Sequence, residues 1–254
     1  LKTGKILWTF NLNALGLGYD PSRTTVDTNG NLWVGLRQGS YVVCLSPAGK
    51  LLGYVYVGQL PRAVAIDRNG YVWVGSYLGE VIHKIDPKTF KILASIRSSG
   101  TWQFSPYGAA TASDGSIWVS NRNNSIGSVV GIVKIDPVAN KIVAIGNAYG
   151  AYGIAADSKG YVWLASWNSS TVLQYQSSNN ALIKTHQMPS KSRGVAIGPD
   201  GDIWIASSRD NNDIDIARII RIYRSTGKLQ IINNVGYHMI GMGVDSAGYI
   251  RAIS

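Results

Sequence analysis

The chain has 254 residues, of which 45% are apolar and 15% charged, and its formal net charge is +10. No uninterrupted apolar run approaches about 18 residues, so the sequence predicts no membrane-spanning helix. The Lys and Arg residues are scattered rather than grouped into a basic stripe, which argues against nucleic acid as the partner.

A nine-residue phrase recurs along the chain and predicts a repeat architecture. Its glycines occur at intervals of 40 to 47 residues, the period of a four-stranded propeller blade. The copies are "DTNGNLWVG" (27–35), "DRNGYVWVG" (67–75), "ASDGSIWVS" (112–120), "DSKGYVWLA" (157–165), "GPDGDIWIA" (198–206) and "DSAGYIRAI" (245–253).

Each repeat divides into four short runs rich in β-branched and aromatic residues, with turn residues between them. In the second repeat these runs are "RAVAI", "YVWVG", "VIHKI" and "KILASI", which we name strands a to d from the inside outwards. No segment has a sustained 3.6-residue period. The sequence therefore predicts an all-β, six-bladed β-propeller of four-stranded antiparallel blades.

The phrase itself has a structural interpretation. We expect its Gly, as in Gly70, to adopt the left-handed conformation at the end of the a–b hairpin loop. Asp67 would cap the turn by accepting from nearby backbone N–H groups. The Trp three residues after the Gly, as in Trp73, would fill the wedge between neighbouring blades.

One domain spans 1–254, with repeats near 19–60, 61–102, 106–148, 150–190, 192–236 and 237–254 plus 1–11. The start, "LKTGKILWTF", matches "PKTFKILASI" of the second repeat. The N-terminal segment is therefore predicted to close the ring as the outer strand of the sixth blade. Strand c of that blade is absent from the sequence, so a longer chain or another chain would supply it. The alternative is a seven-bladed ring with an incomplete chain.

Counting from the glycines locates the loops at the end of the channel where strand a begins and strand b ends, here called the mouth. Ser22 and Arg23 lie there, just before strand a. The residues predicted to bind a ligand at this end are Arg37, Arg62, Tyr77, Tyr107, Arg122, Tyr152, Trp167, Arg193 and Arg209.

The chemistry of this set favours an anionic, glycan-like or protein ligand. Arg offers a planar fork for carboxylate, sulfate or phosphate groups. Tyr152 and Trp167 are expected to offer flat faces for stacking. The same residue types also dominate protein–protein hot spots, and the alternative is that these are ordinary loop residues.

A second candidate site lies in the long loop 207–218. Asp210, Asp213 and Asp215 could hold a divalent cation such as Ca²⁺ or Mg²⁺, although a solvated acidic loop that offsets nearby arginines is the favoured interpretation. No cofactor is predicted otherwise.

The motifs "PRAVAIDRNGYVWVGS" and "SRGVAIGPDGDIWIASS" resemble the repeats of streptogramin B lyase-type propellers and, more distantly, NHL and YVTN repeats. The resemblance covers essentially the whole chain and implies six or seven blades. In that family, activity depends on His and Glu residues and a magnesium ion at the channel mouth, in motifs similar to "PHGI" and "WFTE".

Here the corresponding segments read "YHMIG" (237–241) and "WVGL", "WVGS", "WVSN", "WLAS" and "WIAS", without a Glu. Only His238 is left as a catalytic candidate. The sequence therefore favours a recognition or scaffold propeller. The alternatives are a metal-dependent C–O lyase or lactonase-like hydrolase and a subunit of an extracellular assembly.

The compartment is predicted from composition. One Glu accompanies thirteen Asp residues, and Ser, Asn and Gly are abundant. This composition favours an exported protein that is extracellular, periplasmic or on the cell surface.

Overall fold

A computed structural model of the chain describes residues 6–98, 102–122, 130–209, 214–245 and 247–253. Nearly all regular structure in this part is antiparallel β-sheet. The exception is a single-turn 3₁₀-helix at Leu12–Leu15.

The described strands form five four-stranded sheets and one two-stranded sheet, which follow one another along the chain. Blade 1 contains β1 (Pro21–Val26), β2 (Leu32–Leu36), β3 (Tyr41–Leu45) and β4 (Leu51–Tyr56). Blade 2 contains β5 (Pro61–Ile66), β6 (Val72–Ser76), β7 (Val81–Asp86) and β8 (Lys91–Ile96). Blade 3 contains β9 (Pro106–Thr111), β10 (Ile117–Asn121), β11 (Val130–Asp136) and β12 (Lys141–Asn147). Blade 4 contains β13 (Ala151–Ala156), β14 (Tyr161–Ser166), β15 (Thr171–Gln176) and β16 (Leu182–Gln187). Blade 5 contains β17 (Lys191–Ile197), β18 (Ile203–Arg209), β19 (Asp215–Ile222) and β20 (Leu229–Asn233), and blade 6 contains β21 (Gly241–Val244) and β22 (Ile250–Ile253).

The first strand of each blade contacts the first strand of the next, from β1 through to β21. Residues from all six of these inner strands line one central cavity of about 410 Å³. This arrangement is a six-bladed β-propeller around a channel, and it confirms the fold class and blade count predicted from the sequence.

The repeated Trp packs between blades, as the sequence predicts. Trp33, Trp73, Trp118 and Trp163 are only 0–2% exposed, and each belongs to a core shared with a neighbouring blade. Burial of four indoles makes these interfaces a large share of the apolar area that holds the ring together.

The turn in the repeated phrase adopts the predicted conformation, and its Asp also accepts a hydrogen bond from the repeated Trp. Gly70 has a φ of 82°, the left-handed conformation that favours glycine. Asp67 accepts from the backbone N–H groups of Asn69 and Tyr71 at 2.9 and 3.0 Å. Its other carboxylate oxygen accepts from the Trp73 indole at 2.9 Å, so one carboxylate holds both the turn and the buried indole.

Two of the repeated tryptophans have no Asp at the turn position, and their indole N–H groups differ in their hydrogen bonding. Blade 3 has Ala112 in place of the Asp, and the hydroxyl of Ser116 accepts from the Trp118 indole at 2.9 Å instead. Blade 5 has Gly198 there, and the indole N–H of Trp204 has no hydrogen-bond partner in the described part of the chain. Trp204 is also only half-buried, because the two-stranded blade 6 covers less of its face.

The N-terminal segment differs from the prediction that it closes the ring as a strand of blade 6. Described residues 6–11 form no strand. Instead Trp8, Phe10 and the 3₁₀-helix pack on the face of blade 1 formed by Val34, Leu36 and their neighbours. In the described part, packing of these apolar side chains rather than a β-ladder holds the segment.

The single cysteine, Cys44, lies in the core between blades 1 and 2. Burial raises the pKa of its thiol to about 12. The thiol therefore stays protonated and acts as a small core side chain.

Candidate functional site

The strand pairing places the two sets of mouth residues at the same end of the propeller. The first residue of each inner strand pairs with the last residue of strand b, as in Pro61 with Ser76 and Pro106 with Asn121. Side chains that begin strand a and side chains that follow strand b therefore meet at the mouth, as the sequence predicts.

An aromatic row crosses the mouth from blade 2 to blade 4. Tyr77 lies 5.7 Å from Tyr107, Tyr107 lies 4.6 Å from Tyr152, and Tyr152 lies 6.3 Å from Trp167, measured between ring centroids. At its centre the tyrosine pair, Tyr107 and Tyr152, is only 2% and 7% exposed. The centre of the row is therefore part of the folded interior, whereas Tyr77 and Trp167 at its ends are half-buried.

Three guanidinium groups surround Tyr107. The Cζ atoms of Arg62, Arg122 and Arg23 lie 4.7, 4.9 and 5.4 Å from its ring centroid. Arg62 also donates from Nη1 to the hydroxyl of Ser22 at 3.0 Å, which fixes its position across the boundary between blades 1 and 2.

Three guanidinium groups also surround Tyr152. The Cζ atoms of Arg122, Arg23 and Arg193 lie 4.9, 5.5 and 5.6 Å from its ring centroid. Arg193 in addition lies 4.1 Å from the ring centroid of Trp167. Such cation–π contacts hold the guanidinium planes in place without neutralising their charge.

We call Arg23, Arg62, Arg122 and Arg193 the arginine cluster. Within the described ranges, no carboxylate lies within ion-pair distance of any of its members. The Nε atoms of Arg62, Arg122 and Arg193 are buried and make no hydrogen bond to a described residue. The cluster therefore combines positive charge with buried donors that no described acid satisfies.

The pKa shifts of two cluster arginines arise mainly from burial, and neighbouring positive charges reinforce them. Burial lowers the pKa of Arg62, and the nearby Arg37 and Arg23 act in the same direction. Burial likewise lowers the pKa of Arg193, with Arg122 and Arg209 reinforcing it. Arg remains charged at any physiological pH, so these guanidinium groups stay cationic at partly buried positions.

The pKa values of the two tyrosines of the pair are shifted in opposite directions. Burial and the neighbouring Tyr152 raise the pKa of Tyr107. For Tyr152 burial acts upwards as well, but the hydroxyl of Tyr107 and the charges of Arg193, Arg23 and Arg122 outweigh it and lower its pKa. The positive charge of the arginines thus acts most strongly on Tyr152.

This geometry corrects one role expected from the sequence. Tyr152 was expected to stack on a ligand, but its ring is buried and three guanidinium groups surround it. The tyrosine pair supports the arginines, and the arginines form the layer that a ligand would meet. Arg23 was not among the residues predicted to bind, although the sequence places it at this end.

Arg37 and Arg209 stand apart from the cluster because each has an acidic neighbour. Arg37 forms an ion pair with Asp20, and Nε of Arg209 lies 3.0 Å from Asp215. These two arginines form a partly neutralised rim around the cluster.

The catalytic candidate His238 also lies at this rim. Its Nε2 is 3.1 Å from the carboxylate of Asp215, and its backbone has a φ of 47°. Asp215 is thus shared between His238 and Arg209. Asp210 and Asp213 lie outside the described residues, and no group of three or more His, Cys, Asp or Glu side chains that could hold a metal occurs in the described part. The metal prediction stays a prediction.

The ends of strand b, where the resemblance to the lyase implies Glu, carry side chains that hold the scaffold. Ser76 donates to the carbonyl of Gln59 at 2.5 Å, and Ser207 donates to that of Lys191 at 2.7 Å. Asn121 donates to the carbonyls of Gln103 and Val130 at 3.0 and 2.7 Å. These buried polar groups form hydrogen bonds within the protein.

The central cavity continues beneath the mouth. Its only described charged lining residues are Arg23, which also belongs to the arginine cluster, and Arg251, which is paired with Asp245 at 2.7 Å. Many of the other lining residues are glycines and small apolar side chains. The channel therefore has a mixed polar and apolar lining and is joined to the cluster through Arg23.

No protein-family model matches the chain, and no curated protein matches it in sequence. Solved structures do match in three dimensions. A streptogramin B lyase structure superposes with a TM-score of 0.73 at 15% identity, over 89% of this chain and 74% of the other. Hydrazine synthase of Kuenenia stuttgartiensis superposes with a TM-score of 0.75 at 16% identity, over 91% and 73%.

Virginiamycin B lyase from Staphylococcus aureus superposes with a TM-score of 0.72 at 17% identity, over 96% of this chain and 86% of the other. These likenesses confirm a streptogramin B lyase-like propeller fold. At 15–17% identity they concern the fold alone, since the same fold carries different functions.

Among the described residues, no helix is both long and apolar enough to cross a membrane.

Proposed function

We propose that this protein is a recognition propeller that binds an anionic ligand, a glycan or an acidic protein segment, at the arginine cluster. The observation that carries the proposal is the convergence of four guanidinium groups on one buried tyrosine pair. No carboxylate in the described part neutralises them. Natural binding sites for anions combine fixed guanidinium forks with a desolvated floor in this manner.

For binding, the aromatic side chains that contact the arginines matter as much as the positive charges. Free arginine side chains lose rotamer entropy when they are ordered by a ligand. Here the contacts to Tyr107, Tyr152 and Trp167 already hold Arg62, Arg193 and their neighbours in place. The ordering cost is thus met during folding, and more of the interaction with an anion appears as affinity.

The test compares an acidic and a neutral glycan of the same length on the wild type and on the variant Arg62→Gln/Arg193→Gln. We expect at least a tenfold loss of affinity for the acidic glycan in the variant, by isothermal titration calorimetry at low ionic strength. Lys50→Gln/Lys141→Gln removes the same charge from the exposed turns at the other end and should change affinity less than twofold. Equal losses in both double variants would reduce the site to net charge alone.

A second candidate is enzymatic activity like that of the lyase-type propellers. The pair of His238 and Asp215, at 3.1 Å on the rim of the mouth, is the observation that favours it, because a carboxylate can orient a histidine as general base. Incubation with quinupristin and Mg²⁺, with product detected by mass spectrometry, tests it. Activity lost in His238→Ala would support the enzyme, and an intact substrate in the wild type would reject this reaction.

We also propose that the protein acts outside the cytoplasm. The proposal rests on its low Glu content and its abundance of Ser, Asn and Gly. Fractionation of the source cells with an antibody against the propeller is the measurement, and recovery in the cytoplasm would contradict it.

A further inference from the structure

We infer that the ligand of the arginine cluster is a short acidic saccharide that binds end-on, with its anionic group at the cluster and its uncharged sugar in the central channel. This inference rests on the proposed function and names the class of its ligand. It depends on the charges, the polar groups and the size of the cavity beneath the cluster.

The cluster and the channel form one continuous site because Arg23 belongs to both. Its guanidinium lies 5.4 and 5.5 Å from the ring centroids of Tyr107 and Tyr152, and the residue also lines the central cavity. Ser22 and Gly108, which adjoin Arg23 and Tyr107 in the chain, line the same cavity. An anion that Arg23 binds therefore lies at the entrance of the channel, and the rest of its molecule can extend inwards.

The distribution of charge predicts which part of the ligand is anionic. Arg23 and Arg251 are the charged residues of the described lining. Nε and Nη2 of Arg251 both donate to the carboxylate of Asp245, at 3.0 and 2.7 Å, so its charge is compensated. The neighbours of the Arg23 guanidinium are aromatic rings instead. Within the described lining the uncompensated charge thus lies at the entrance, and the part of the ligand that lies deeper should be uncharged.

The wall of the channel offers uncharged donors and acceptors. Each inner strand lies at one end of its sheet, so one edge of its backbone has no partner strand. No backbone hydrogen bond joins one inner strand to the next in the described ranges. Residues of all six inner strands line the cavity, among them Ser22 and Thr24 with their hydroxyls. The hydroxyl groups of a sugar can donate to and accept from groups of both kinds.

The size and the apolar part of the lining also suit a sugar. The cavity volume of about 410 Å³ lies within the range of small-molecule sites, roughly 300–1,000 Å³. A folded partner cannot enter such a cavity, whereas a short saccharide can. Val64, Ile154 and Val195 lie between the polar groups of the lining and can pack on the C–H face of a sugar ring. An alkyl chain would leave the backbone groups of the inner strands unpaired, which disfavours a fatty acid.

The experiment compares four ligands by isothermal titration calorimetry at low ionic strength. Cellobionate has a carboxylate at one end and an uncharged glucose ring at the other. Cellobiose lacks the carboxylate, acetate lacks the sugar, and octanoate has an apolar chain in place of the sugar. We expect cellobionate to bind about tenfold more tightly than each of the other three, because only cellobionate has both parts.

Two channel variants separate the sugar from the anionic group. Thr24 is exposed and lines the cavity, so Thr24→Phe should narrow the channel. Gly243 lines it from blade 6, where an added Cβ would meet no atom within 4 Å, so Gly243→Leu should partly fill it. Each variant should weaken cellobionate binding about tenfold and keep acetate affinity within about twofold of the wild type.

Val26→Phe is the matched control. Val26 is an exposed residue of the same inner strand as Thr24 but lies outside the cavity lining, so this variant should bind cellobionate like the wild type. Thermal denaturation of each variant checks that it is folded.

The outcomes distinguish failure of this inference from failure of the proposed function. Cellobionate binding no tighter than acetate, with both weakened in Arg62→Gln/Arg193→Gln, would overturn the inference and leave the proposed function in place. Unchanged cellobionate affinity in both channel variants would have the same meaning, as would binding of a longer acidic glycan without binding of cellobionate. Tightest binding by octanoate would overturn the assignment of a saccharide. Equal binding of cellobiose and cellobionate, or failure of every anion to bind, would overturn both.

Discussion

The two ends of the propeller are built from the same repeat, but their charged side chains have different partners. At the turn end, Asp67 is satisfied by two backbone amides and the Trp73 indole, and Lys84 in the neighbouring strand donates to the carbonyl of Pro137 at 2.7 Å. At the mouth end, Arg62 and Arg193 have aromatic neighbours but no carboxylate among the described residues.

This difference separates structural from functional use of polar groups. A buried polar group that is satisfied within the protein stabilises the fold. A group held in place but left with unused donors carries a cost of folding that a ligand can recover. Under the proposed function, the turn end is the scaffold and the mouth holds cations for a ligand.

The largest expected effect sharpens this comparison with two tryptophans. Trp73→Ala at the turn end should lower the free energy of unfolding by about 3–5 kcal/mol, because it removes a fully buried indole and leaves Asp67 without that donor. Trp167→Ala, at the half-buried mouth position, should lower it by less than about half as much. Urea denaturation measures both, and equal losses would contradict the division between the two ends.

The next effect is the pH dependence of the free energy of unfolding, which we expect to arise in the scaffold rather than at the mouth. His186 is 6% exposed, and burial, with the charge of Lys184, lowers its pKa to about 4. From about pH 6.5 down to about 4 the unfolded chain binds a proton there that the folded chain does not. The free energy of unfolding should therefore decrease as the pH falls through this range, by at most about 3 kcal/mol.

Urea denaturation at a series of pH values checks the effect. His186→Leu should flatten the dependence, leaving the slope from His83, whose pKa burial also lowers. Thr185→Leu, on the exposed face of the same strand, should keep the full slope. An unchanged slope in His186→Leu would place the pH response elsewhere.

The smallest effect is expected where charge is removed from the mouth. Arg62→Gln/Arg193→Gln should change the free energy of unfolding by less than about 0.5 kcal/mol at 0.15 M salt, because lost cation–π contacts are offset by reduced repulsion within the cluster. At low salt the variant should gain stability relative to the wild type. A loss of several kcal/mol at either salt concentration would mean that the arginines serve the fold and not a ligand.

How far the sequence predicts the site depends on the kind of information each residue needs. Arg62, Arg122 and Arg193 are located by counting from the repeated glycines, because blades repeat and register is inherited from the turns. Their separation from Arg37 and Arg209 needs the positions of Asp20 and Asp215, which the repeat does not specify. Arg23 is found at the mouth by counting, but its contact with both tyrosines depends on side chains that converge from blades 1, 3 and 4.

The N-terminal segment shows where pattern matching fails. Its likeness to "PKTFKILASI" indicates an outer strand, but described residues 6–11 form no strand. The apolar side chains of Trp8 and Phe10 bury themselves on blade 1 instead. Sequence similarity between repeats reflects shared side-chain preferences, whereas the pairing of a strand also depends on its neighbours in the fold.

By itself the sequence determined the repeat, the all-β class, the six blades and the end of the channel where ligands would meet charged side chains. These properties are local or periodic: a turn, an alternating strand and a buried Trp recur at a fixed spacing. Only the tertiary structure decided which arginines are paired with acids, that the tyrosine pair is buried, and that Arg23 and Arg122 contact both tyrosines. Those properties arise between blades, where residues distant in the chain meet and where burial and like charge act together.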